Sequence, residues 1–357
     1  MTAAEANISN PPYDAILLVS FGGPEGMDEV TPFLENVLRG KNVPRERLQA
    51  VAHHYQVFGG VSPINQQNRD LIAALRQELC ARGPDLPVYW GNRNWRPLLP
   101  EALREMAADG KRHALAYITS AYSSYSGCRQ YLEDIARAQS EVGPSAPRVS
   151  PLRKFYNHPD FIHANAERVR AALLELPAAR RAATPIAFTA HSIPVTMARS
   201  SRYEAQLRET CRLVAEEVGA ERWDLVYQSR SGPPTQPWLE PDIGDHLQEL
   251  KASGESAVLI APIGFLSDHV EVLYDLDVEA RHLATELGLT MARAQTVGTH
   301  PAFVAMIGTL IAERVSGSEN RPYLGALGAP HDICPPDCCL PGQTRLATTG
   351  IASGRLP

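Results

Sequence analysis

Short apolar runs alternate along this chain with helical segments of roughly 10–20 residues, and no other feature constrains the fold as much. Ala15–Phe21, Pro87–Gly91 and His113–Ser120 read as strands. Helices are predicted from Met27, over Pro63–Arg82, Leu98–Ala108 and Ser126–Gln139. Glu141–Pro151, with Gly143 and three prolines, reads as a break and a hinge. The alternation then restarts, with strands at Pro185–Ala190, Asp224–Gln228 and Ala257–Pro262. Helices are predicted at Pro159–Leu174, Arg202–Val218, Ile243–Lys251, Asp268–Leu287 and Pro301–Val315. At 357 residues the chain exceeds one ordinary compact core. The pattern predicts an α/β fold of two similar doubly wound, Rossmann-like parallel-sheet lobes facing a central cleft. Residues 13–145 would form the first lobe and 151–325 the second, its last helix packing back on the first; 326–357 would be a cysteine-containing tail.

Doubly wound sheets bind ligands off the carboxyl ends of their strands. His191, in Phe188-Thr189-Ala190-His191-Ser192-Ile193-Pro194, follows one strand. Ser267-Asp268 follows another after a short loop, and Ser20-Phe21-Gly22 and Tyr122–Tyr125 follow two more. From Asp268 the acids Asp268, Glu271, Asp275 and Glu279 are spaced 3, 4, 4. On an α-helix that spacing aligns four carboxylates in one stripe, at a cost of about 0.2–0.5 kcal/mol per like-charged pair. A capping box from Asp268 to Glu271 and a solvated acidic face are the plain readings. A path for a divalent cation, with a neutral imidazole beside it, is the functional one.

The net charge of −6 excludes a basic stripe for nucleic acid. No apolar run is long enough to cross a bilayer, and Met1–Glu5 lacks the basic-then-apolar pattern of a signal peptide, so a cytoplasmic protein is expected. Phe21-Gly22-Gly23-Pro24-Glu25-Gly26 is not a dinucleotide fingerprint and places an acid where a phosphate would sit. Ser62 and Pro63 fit the start of a helix, as cap and first residue. Four tyrosines within Tyr117–Tyr131 could line a flat apolar ligand or simply pack. Cys80 and Cys211 read as small buried apolar residues on helices. Cys334, Cys338 and Cys339 crowd into six residues beside His331. That crowding fits an Fe–S cluster completed by a distant Cys, a zinc site using His331, or a reduced tail.

Four segments taken together resemble the ferrochelatase family: Leu18-Val19-Ser20-Phe21-Gly22-Gly23-Pro24, Phe58-Gly59-Gly60-Val61-Ser62-Pro63-Ile64-Asn65, Thr189-Ala190-His191-Ser192-Ile193-Pro194 and Gly264-Phe265-Leu266-Ser267-Asp268-His269-Val270-Glu271-Val272-Leu273-Tyr274-Asp275-Leu276-Asp277. They occur in the family's order over roughly residues 13–325. Tyr122–Cys128 and the cysteine-bearing tail resemble its actinobacterial branch, which uses coproporphyrin III rather than protoporphyrin IX in heme synthesis. The resemblance implies a class II chelatase-like fold and an enzyme that inserts Fe2+ into coproporphyrin III to give coproheme. Use of protoporphyrin IX, cobalt insertion into another tetrapyrrole, and non-catalytic carriage of a tetrapyrrole or metal are the alternatives. The resemblance further implies His191 and Glu271 as the catalytic, Fe2+-binding pair, as base or ligand, and Asp275 and Glu279 as an acidic conduit. Ser62, Tyr131, Arg39 and Tyr55 would contact the porphyrin, with His54 standing where an Arg is often found. Phe21 replaces a Tyr that ligates product iron in Firmicute members, so that ligation is not expected. Cys128, Cys334, Cys338 and Cys339 would hold a [2Fe–2S] cluster. Transient contact with neighbouring heme-pathway enzymes is a further expectation.

Overall fold

The computed structural model describes residues 13–40, 44–232 and 235–341. Its first lobe is built from β1 (Ala15–Ser20), α1 (Met27–Val37), α2 (Arg45–Val57), α3 (Ile64–Arg82), β2 (Val88–Asn92), α4 (Leu99–Ala108), β3 (His113–Ile118), α5 (Gln130–Val142) and β4 (Arg148–Pro151). The second comprises α6 (Pro159–Leu173), β5 (Ile186–His191), α7 (Val195–Arg199), α8 (Tyr203–Val218), β6 (Trp223–Gln228), α9 (Ile243–Ala252), β7 (Ala257–Ala261), α10 (Val270–Val272), α11 (Arg281–Glu286) and β8 (Thr290–Arg293), and α12 (Pro301–Ser316) follows. The strand orders are β2-β1-β3-β4 and β6-β5-β7-β8, all parallel, with Leu17 opposite Tyr89 and Ala116, and Phe188 opposite Leu225 and Ala261. The central strands β1 and β7 are buried along their whole length, which is why they read as unbroken apolar runs.

Both sheets run second strand, first, third, fourth, so each reverses direction between its first and third strands. That reversal opens a crevice at the carboxyl ends of β1 and β3 in one sheet and of β5 and β7 in the other. The helix α12 packs against α3 and α6, and its Phe303, Ile307 and Leu310 join Ile16 and Tyr117 of the first sheet to Phe188 and Leu259 of the second in one apolar core. Arg153, just past β4, forms a buried bidentate pair with Glu313 of α12, at 2.9 and 3.0 Å.

Three sequence expectations are corrected, and two elements go unread. The stretch read as a hinge contains β4, which pairs with β3 from His113–Arg148 onward, so the first sheet runs past residue 145 to Pro151. Prolines are tolerated there because β4 is an edge strand with one unpaired side. The short edge strand β8 and the charge-rich helix α2 carry too little periodicity to be read. The single helix expected at Asp268–Leu287 is divided into α10, a π-helix at Leu273–Ala280 and α11. Cys211 is buried as expected, but Cys80 is exposed, because it lies off the stripe Leu71, Ile72, Leu75 and Leu79 that α3 buries.

Candidate active site

The last residue of β5 is His191. The Tyr203 hydroxyl donates to the His191 carbonyl at 3.0 Å, and Nδ1 of the ring lies 2.6 Å from the Ser192 carbonyl. A carbonyl can only accept, so Nδ1 carries a proton, and in the neutral tautomer the lone pair lies on Nε2. Nε2 stands 3.9 Å from Glu271 Oε2. That is too long for a hydrogen bond and leaves the space between them open to a third atom.

Gly264 brings the two together. Its N–H donates to the Thr189 carbonyl at 2.9 Å, and a Cβ there would stand 2.6 Å from Ala190 Cβ. Only a residue without a side chain lets the loop after β7 cross so closely over the end of β5. The loop then delivers His269, whose ring caps Val272 N–H at 3.4 Å and is held below its ordinary pKa by burial. Asp268 is not the cap that the plain reading of the sequence allows. It accepts from Arg293 and from Thr296 Oγ1, at 2.5 and 2.9 Å, and so leaves the acidic stripe.

The remaining acids, Glu271, Asp275 and Glu279, run along α10 and the π-helix. The wider i→i+5 turns of a π-helix keep positions four apart close to one line, and such turns recur at functional sites. Asp275 accepts from Ser229 Oγ and, at 3.2 Å, from Gln228 Nε2, both at the end of β6. Burial pushes its carboxyl up to about 7; the Ser229 and Gln228 hydrogen bonds oppose this, and Glu271 and Glu279 add to it. Ser229 holds φ at 60°, a strained left-handed conformation for a residue with a Cβ. Glu279 is also raised, by burial and then by Asp242. Neither Gln228 and Ser229 nor His269 was legible as part of the site. They come from a strand end and a cap whose role depends on what packs opposite.

Helices α2 and α3 of the first lobe touch the site's helix and the loop before it. Ser62 is buried, but it does not cap α3. It packs so closely on Gly23 that a Cβ there would lie 2.7 Å from its own. Tyr131, buried at the start of α5, lies under the Arg93 guanidinium, 4.4 Å from the ring centroid. Tyr55 is buried beside Phe33 and close enough to feel the Glu271 charge; burial above all keeps its hydroxyl protonated. Arg39 is exposed and bonded to Asn36 at 2.5 Å, with no described contact to His191 or Glu271. The lobes touch through the His54 and Tyr274 rings, stacked 3.7 Å apart at 9°, and through Gln67 with Asp268 N–H at 3.0 Å. Phe21, at the end of β1, is 36% exposed at the edge of the crevice and offers no ligand atom.

Away from His191, the tail lies on the second and first lobes through Asn157 to Leu324 and Gly328, Arg129 to Pro336 and Cys338, and Ser200 to Leu340. Residues 342–357 of the expected tail lie outside the described residues. Cys128, Cys334, Cys338 and Cys339 line one cavity of about 440 Å³. Cys338 and Cys339 Sγ atoms are 3.6 Å apart, and Cys339 adopts a left-handed φ of 53°. Cys128, on the π-helix Tyr125–Arg129, has its Sγ 3.9 Å from the Tyr122 carbonyl, and the Cys339 thiol beside it lowers its proton affinity. Four thiols converging from two separated segments fit a tetrathiolate cluster. His331, Cys334 and Cys338 also bring their ligand atoms within 4.8 Å of one another, a set that suits zinc. No helix among the described residues is long and apolar enough to cross a membrane.

Comparison with known proteins places this architecture. The chain is 60% identical to "Ferrochelatase" of Rhodopirellula baltica over 331 residues, covering 92% of this chain and 94% of the relative. It is 51% identical to "Coproporphyrin III ferrochelatase" of Streptomyces coelicolor over 364 residues, covering 96% and 97%. The sirohydrochlorin-type chelatase SirB of Bacillus subtilis shares the fold at a TM-score of 0.53 and 13% identity, over 87% of this chain and 98% of that one. The Ferrochelatase family model matches residues 13–315. With that match and relatives 51–60% identical over more than nine-tenths of its length, the chain belongs to the ferrochelatase family.

Proposed function

We propose that this protein inserts Fe2+ into coproporphyrin III, releasing two protons and giving coproheme, in the cytoplasm. The observation that carries the reading is the Nε2 lone pair of His191 facing Glu271 across an open 3.9 Å gap, with Asp275 and Glu279 behind Glu271. The names of the relatives at about 50% identity support coproporphyrin III as the substrate.

Metal insertion requires a bent macrocycle, loss of two N–H protons and stepwise dehydration of Fe2+. A crevice between two lobes joined by one core can grip the ring's edge and use peripheral binding energy to bend it. Ser62, Tyr55 and Tyr131 would face the ring, and Arg39 is the weakest of the porphyrin assignments. His191 Nε2 is the free base that would take a pyrrole proton, and Glu271 would receive the metal. Asp275, with a pKa near neutrality, can pass a proton outward or give it up to an incoming cation. A cation on the acidic row offsets the repulsion among its carboxylates. Handing on a poorly soluble product would call for transient contact with neighbouring heme-pathway enzymes.

Cys128, Cys334, Cys338 and Cys339 would hold a [2Fe–2S] cluster, which when bound supplies a one-electron redox centre and ties the tail to the first lobe. Zinc on His331, Cys334 and Cys338 is the second reading, favoured by their mutual spacing. The decisive experiment is anaerobic steady-state insertion of Fe2+ into coproporphyrin III and protoporphyrin IX. Faster turnover of coproporphyrin III is expected. A preference for protoporphyrin IX overturns the substrate, and stoichiometric binding without turnover overturns the enzyme.

A further inference from the structure

We propose that Lys154 is the counter-charge of the cysteine cavity and sets the reduction potential of the cluster it holds, an inference that rests on the [2Fe–2S] reading above. Lys154 lies just beyond β4, half-buried, and lines the cavity with all four cysteines. Its ammonium donates to the Ser120 and Gly127 carbonyls, at 2.8 and 2.7 Å. Gly127 immediately precedes Cys128, so these bonds fix the charge beside the one cysteine supplied by the first lobe. Among the described residues no carboxylate lies within ion-pair distance of Lys154.

The other cations lining the cavity are differently engaged. Arg153 is bound to Glu313, and Arg199 and Arg202 are exposed to solvent, where water screens them. A half-buried charge without a carboxylate is costly unless something else balances it. Asp332, a carboxylate in the same lining, is already paired with Arg314 and Arg321, so among the described residues the anions left to balance Lys154 are the cavity's sulfurs. The Gly127 contact holds the ammonium one residue from Cys128, in a cavity that Cys334, Cys338 and Cys339 also line. A tetrathiolate iron–sulfur cluster is negatively charged, and reduction adds a further electron. A positive charge fixed in the lining of the same cavity therefore favours the reduced state, since cluster potentials follow net charge.

The test is a redox titration of the visible absorption of anaerobically purified full-length protein. The variants are Lys154→Met, Lys154→Gln and Lys154→Arg, with iron and sulfide contents measured for each. At a fixed potential the ratio of reduced to oxidised cluster should fall about tenfold in Lys154→Met and Lys154→Gln, a midpoint lowered by about 59 mV for a one-electron couple. Lys154→Arg, which keeps the charge, should stay within about threefold of wild type. Should the neutral variants lose the cluster at unchanged circular dichroism while Lys154→Arg keeps it, the same counter-charge is read as cluster stability. An unshifted ratio in a fully loaded neutral variant overturns the role of Lys154 alone. Wild-type protein that holds zinc and no sulfide overturns the cluster reading, and this inference with it.

Discussion

Replacing Asp275 with Asn should stabilise the folded protein above neutral pH while slowing metal insertion. The folded protein binds a proton at Asp275 more tightly than the unfolded chain does, because burial raises the carboxyl from its ordinary 3.8 to about 7. The stability contributed by this group is therefore complete below about pH 4 and is lost as pH rises through about 7. At about 1.4 kcal/mol per tenfold change in proton affinity, the full loss is about 4 kcal/mol. About 2–3 kcal/mol of it falls between about pH 5 and about pH 8, the lower figure allowing for the side chain's partial contact with water. Asn keeps an oxygen for Ser229 Oγ and Gln228 Nε2 and cannot ionise. Urea unfolding of both proteins at the two pH values measures the difference. Wild type should lose stability relative to Asp275→Asn across this interval, while anaerobic iron insertion by the variant falls. Parallel pH dependences would refute the claim that Asp275 is held near neutrality by burial.

Other outcomes follow from the same geometry. His191→Ala should abolish iron insertion while porphyrin binding, followed by fluorescence quenching, is largely retained; near-normal turnover would remove His191 from the chemistry. Glu271→Ala should reduce turnover more than Asp275→Ala, and the reverse order would contradict a row that begins at Glu271. Glu313→Ala leaves the Arg153 guanidinium, only 1% exposed, without its partner and should cost about 3–5 kcal/mol in denaturant unfolding. Arg153→Met combined with Glu313→Leu should recover most of that loss. Cys338→Ser should remove charge-transfer absorption from anaerobically purified protein, and retained colour would exclude Cys338 as a ligand.

Much of the architecture was legible because parallel strands buried on both faces must be apolar throughout. β1, β5 and β7 each announce themselves that way, and their ends locate His191 and the loop before Glu271. The edge strands β4 and β8 escaped for the converse reason: half-exposed strands of four residues have little pattern to read. The acidic row was visible as spacing, but an α-helical stripe and a π-helix cannot be told apart from positions four residues apart. Asp268 shows the limit most clearly. Its place before a helix looks like a cap, yet Arg293 and Thr296, on and just after the last strand of the second sheet, claim both of its oxygens.

The sequence alone determined the two series of strands and helices, the residue types available at each strand end, and the family to which they belong. These depend on local apolar periodicity and on motif order, which a linear chain carries in full. Tertiary structure decided the rest. The Nδ1 contact with Ser192 turned the His191 lone pair onto Nε2 and toward Glu271, and burial against β6 brought Asp275 near neutrality. Strand pairing also set Lys154 beside cysteines lying 26 residues before and 180 or more after it in the chain. Proton affinity and charge balance depend on what surrounds a group in space, and only the packed chain supplies those neighbours.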